Sequence, residues 1–79
     1  MSETKVGVSE SWGLVALAGT FSEATNGSAG TQRWTRHTEL PIASVAGAKI
    51  LVGNGIDSTQ LGGSGNLYAK GRGDVIVYP

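Results

Sequence analysis

Apolar residues come in short bursts along this chain, each interrupted by glycine or by a cluster of Gly, Asn and Ser. Val6 and Val8 alternate with polar neighbours in an otherwise polar segment, 2–11, the pattern of a short extended strand or an arm. Residues 12–21 are the most apolar stretch. Bracketed by Gly13 and Gly19, it is short for a buried helix and predicts a strand buried on both faces. Residues 22–31 read as a long exposed loop, because Asn26 and Gly27 both tolerate positive φ and together signal a turn.

The next segment alternates cleanly. Trp34, Arg36 and Thr38 fall on one side of 32–38, and Arg33, Thr35 and His37 fall on the other, as in a strand with one polar face. Pro41 breaks the pattern or marks an edge. In 42–52 a turn or bulge at 45–48 divides two short strands, of which 49–52 is the stronger. Residues 53–66 read as a flexible Gly-rich connection and 67–70 as a strand. Gly71, Arg72 and Gly73 read as a tight hairpin turn ahead of a β-branched strand at 74–78.

The expected fold is all-β: a small antiparallel sandwich or barrel of about five to six short strands with Gly-rich loops. Residues 1–11 form an N-terminal arm or short edge strand, and 12–79 a single β domain. There is no internal repeat and no amphipathic helix pattern.

Composition narrows the function. The 79 residues contain no cysteine, so no disulfide or thiolate zinc site staples the fold. Six Lys and Arg balance six Asp and Glu, and only 15% of residues are charged, which leaves no footprint for nucleic acid or an anionic membrane. The longest apolar run, 14–18, is far too short to span a bilayer, and 1–5 lacks the basic and apolar regions of a secretion signal. A soluble protein made in a cytoplasm is expected. A compact chain of this mass exposes about 4,500 Å², a marginal burial for so small a domain. Thirteen glycines add to the entropy lost on folding. Subunit contacts would supply the missing stability, so a homo-oligomer is expected.

Candidate chemistry is sparse. His37 is the only histidine, and no nucleophile signature accompanies it. The six acids are scattered without metal-ligand spacing. The glycine pairs at 53–55, 63–65 and 71–73 lack the third glycine or the Gly-Lys-Ser/Thr ending of a phosphate loop. No catalytic, cofactor-binding or metal residue is therefore assigned, and no cofactor.

The candidate interaction surface is Trp12, Arg33, Trp34, Arg36, Tyr68, Arg72 and Tyr78. The aromatics suit sugar stacking or subunit contacts if they are not core. Arg33 and Arg36 beside Trp34 could grip a phosphate, an acidic sugar or a partner carboxylate, or form an interfacial ion pair. Arg72-Gly73-Asp74 matches an adhesive tripeptide but reads as a turn, and Asn26-Gly27-Ser28 fits a glycosylation acceptor but also reads as a turn.

The expected function is that of a non-enzymatic structural protein that self-assembles or joins a larger protein assembly. A small virion component such as a capsid decoration, cement or tail-associated protein is the leading example. A lectin-like carbohydrate-binding module is the alternative, and an inhibitor or adaptor of one host protein stands behind both.

Overall fold

The computed structural model describes residues 3–62 and 64–79. Residues 1 and 2 of the expected arm, and Gly63 of the Gly-rich connection, lie outside the described residues. The chain is all-β, with strands β1 (Thr4–Val8), β2 (Gly13–Ala16), β3 (Glu23–Asn26), β4 (Gln32–His37), β5 (Ala48–Ile50), β6 (Gly55–Asp57), β7 (Asn66–Lys70) and β8 (Gly73–Tyr78). They form two four-stranded antiparallel sheets, ordered β1-β8-β3-β6 and β2-β7-β4-β5. Among the described residues eight strands replace the expected five to six, and no barrel closes. β3 and β6 are the additions, both placed where the sequence reads as loop, while of the two short strands expected in 42–52 only β5 forms and 42–44 is not a strand.

The two sheet orders are one order read twice. β1 runs on into β2, β3 into β4, β5 into β6 and β7 into β8, and each of these steps crosses from one sheet to the other. The sandwich is therefore a single four-stranded sheet folded double, creased at 9–12, 27–31, 51–54 and 71–72. Pairing persists through the crease. Gly71 N and Arg72 N both donate to Ser9 O, Gly27 N donates to Asp74 O, and Asn26 N donates to Asn54 O.

Period-two alternation fills the space between the halves. Ala24, Ile56 and Val75 point inward from the first sheet, and Trp34, Ile50, Leu67 and Ala69 from the second, with Phe21 closing the open end. β1 lies at the edge of the first sheet and lays Val6 and Val8 against this core. β2 corrects the expectation of a strand buried on both faces. It is an edge strand covering the core on one side only, so Leu14 points outward and stays exposed, and the chain turns at 17–20 through Gly19.

Creasing a sheet removes ladder hydrogen bonds and leaves backbone groups facing the interior, where each unpaired one costs free energy. Two buried amides fill these gaps. Asn26, 1% exposed, donates from Nδ2 to Gly30 O (3.0 Å) and Ile50 O (2.9 Å). Its Oδ1 accepts from Ser28 N (2.9 Å) and Ser28 Oγ (2.6 Å), so the amide is fully used. Gln32 donates to Arg72 O (2.9 Å) and Asp74 O (3.2 Å), and its Oε1 accepts the Trp34 indole N–H (2.9 Å). The turn reading of Asn26 is corrected here: the residue ends β3 and its amide is core structure, with both hydrogens occupied.

The hairpin expected at 71–73 is likewise a crease. β7 and β8 belong to different sheets and do not pair with each other. Gly73 shows why glycine is required there. Its φ is +85°, and an added Cβ would lie 2.1 Å from Ser28 Cβ.

The folded chain exposes 4483 Å², the area its mass gives for a compact monomer.

Candidate functional site

The sequence-derived candidates separate once the fold is known. Trp34 is fully buried, and Trp12 and Tyr68 are 7% and 5% exposed. Arg36 faces inward beside Trp34, as the alternation predicts, and caps the open end of the sandwich. Its Nε donates to Gly65 O (3.0 Å), its Nη1 to Ser58 O (3.0 Å) and Gln60 O (3.3 Å), and its guanidinium stands 5.1 Å from the Phe21 ring centroid. Arg72 lies at the crease, with φ +73°, and pairs with Glu10 while both side chains stay largely in solvent. Only Arg33 and Tyr78 stand on open sheet faces, one on each.

The outer face of the second sheet is the more elaborate. The 38–47 connection folds back across it. Lys70 Nζ donates to Ala43 O and Val45 O (3.5 Å each) and lies 4.7 Å from the Trp12 ring centroid. Gly47, at φ +71°, seats against Trp12 so closely that a Cβ would meet the ring at 2.6 Å. A shallow hollow of about 200 Å³ remains between Glu10, Trp12, Leu40, Pro41 and Lys70. Trp12 Nε1 is buried there without a partner among the described residues. Leu40 and Ile42 beside it are 61% and 71% exposed.

Register brings three cations into one row on this face. Arg33 on β4 stands opposite Lys49 on β5 and opposite Lys70 on β7. Like charges placed directly across strands repel. The outer face of the first sheet has the opposite character. Glu23 stands opposite Asp57, and Asp74 projects from the same face along with Lys5, Thr25, Ile76 and Tyr78. Asp57 accepts from Thr59 Oγ1 (2.5 Å) and Thr59 N (2.8 Å), which holds its carboxyl below the usual aspartate value of 3.8.

Lys49, Lys70, Glu23, Asp57 and Asp74 were not among the sequence candidates. Each reads as an ordinary outward strand or turn residue, and only strand pairing collects them. Among the described residues no three His, Asp or Glu side chains converge as metal ligands, and His37 lies exposed at the end of β4. Among the described residues no helix is long and apolar enough to cross a membrane. What the molecule presents is two broad faces of opposite charge.

Compared with protein-family models, with curated proteins and with solved structures, the chain matches none.

Proposed function

We propose that this is a non-enzymatic structural protein that works by contact with copies of itself or with a larger protein assembly. The setting that best suits it is a virion, as a small capsid decoration, cement or tail-associated component. The carrying observation is the apolar surface of the second sheet's outer side, where Leu40 and Ile42 stand well exposed around hollows lined by Pro41 and Val45, and Leu14 on β2 is also about half exposed. Exposed apolar patches rimmed by charge mark protein contact sites. A cysteine-free two-sheet sandwich suits a part that is added to an assembly already folded.

The carbohydrate-binding reading loses its motivation, because the aromatics that would stack on sugar are buried except for Tyr78. Sedimentation velocity over a concentration series from about 10 μM to about 1 mM tests self-assembly. Species larger than one chain are expected to grow with concentration. A stably folded monomer throughout overturns self-assembly.

A further inference from the structure

The net charge of zero conceals a polarity. Half of the six cations, Arg33, Lys49 and Lys70, lie on the outer face of the second sheet. Half of the six acids, Glu23, Asp57 and Asp74, lie on the outer face of the first, accompanied by the single cation Lys5. His37 and Glu39 sit at the far end of the basic face, and Glu10 beside it is engaged by Arg72 at the crease. Among the described residues that Glu10–Arg72 contact is the only ion pair, so neither row is neutralised within its own chain.

We propose that copies of the chain stack face to back, the acidic outer face of the first sheet docking on the basic outer face of the second sheet of the next copy. The inference rests on the self-assembly reading and specifies its geometry. Three observations support it. Glu23 stands across from Asp57 on one face and Arg33 across from Lys49 on the other, like-charge pairs that are unfavourable in an isolated chain and relieved by an opposing face. A symmetric dimer through either face would bring acid to acid or base to base, whereas the heterologous contact matches both rows at once. The body measures 35 × 27 × 16 Å, so its broad sides are of the size that a standard interface of about 800 Å² per partner requires. A polyanionic ligand on the cation row would explain only one of the two faces. The heterologous contact does not close on itself, so association should be open-ended along the stack.

Charge reversal tests this. One variant carries Glu23→Lys and Asp74→Lys, and the other carries Arg33→Glu and Lys49→Glu. Thermal melting first establishes that both remain folded; in the second variant the new acid at 33 faces Lys70 on one side and the new acid at 49 on the other, so the Arg33–Lys49 like-charge pair is exchanged for another and not added to. In sedimentation at low salt each variant alone is expected to lose at least about tenfold in apparent association constant, as the wild type does between about 0.05 and 0.5 M salt. An equimolar mixture of the two is expected to recover association, because reversed faces again meet opposites. Wild-type association that neither variant weakens, or a mixture that stays dissociated, overturns face-to-back stacking and leaves self-assembly standing. Loss from the basic-face variant alone also overturns it. A wild type that never associates overturns both.

Discussion

Asn26→Asp replaces one NH₂ by an oxygen with almost no change of shape, and the crease makes this small exchange severe. Asn26 Nδ2 now donates to the carbonyls of Gly30 and Ile50 at 3.0 and 2.9 Å. An ionised aspartate would aim a carboxylate oxygen at both, in a position 1% exposed. Gly30 O keeps Ser28 Oγ at 2.6 Å, so the buried Ile50 carbonyl sets the loss at about 1–3 kcal/mol at neutral pH, before any charge repulsion. A chain of this length has a total stability of about 4–12 kcal/mol, so the variant should lose a large fraction of it. Urea unfolding followed by the fluorescence of Trp12 and Trp34 measures it.

The pH dependence supplies a second readout. Burial against two carbonyls raises the folded-state pKa of the new carboxyl above its unfolded value of about 3.9. Stability relative to wild type is then best below that unfolded value, falls as pH rises toward the folded one, and is flat at its lowest beyond it. When protonated, the group regains one donor. A deficit under about 1 kcal/mol, or one equal at pH 3.5 and 7.5, refutes the reading of Asn26 as the amide that satisfies the crease.

Three further outcomes follow from the same geometry. Gly73→Ala, which needs a left-handed backbone and meets Ser28 Cβ, should lower stability by about 2–4 kcal/mol in the same urea assay, whereas Gly7→Ala, which meets nothing within 4 Å, should cost under about 1 kcal/mol. Arg36→Met should leave the strands protected but speed amide exchange in 58–65, since the guanidinium holds three carbonyls of that connection. Asp57→Ala should flatten the acid limb of the stability curve: the lowered pKa contributes stability above the unfolded value, and that contribution is lost as pH falls through the folded one. Identical limbs in wild type and variant below pH 4 would contradict the Thr59 contacts.

How much of this was legible in the residues divides along the crease. β4 and β8 stand out because alternation and β-branching describe a strand whichever sheet it joins, and the sides assigned to Trp34 and Arg33 are the observed ones. β3 and β6 were hidden by their glycine-rich neighbours. Asn26-Gly27 and Gly53-Asn54-Gly55 carry the chemistry of a hairpin turn, and a sheet that folds double uses the same chemistry to bend strands that continue beyond it. Sequence alone does not separate these uses, because the difference lies in whether the flanking strands pair with each other or with third parties. The burial of Trp12 and Tyr68 was equally hidden, since it depends on the 38–47 connection returning across its own sheet. The charged faces escaped for a third reason. Arg33, Lys49 and Lys70 are far apart in the chain, and an overall charge of zero gives no hint that register assembles them.

Zero-length carbodiimide crosslinking of an equal mixture of ¹⁴N- and ¹⁵N-labelled protein at low salt tests the central claim most directly. Face-to-back stacking predicts mixed-isotope crosslinks joining Lys49 of one copy to Glu23, Asp57 or Asp74 of another, diminishing as salt is raised. Crosslinks confined to single chains, or intermolecular links joining Lys5 to the acids of its own face instead, would contradict it.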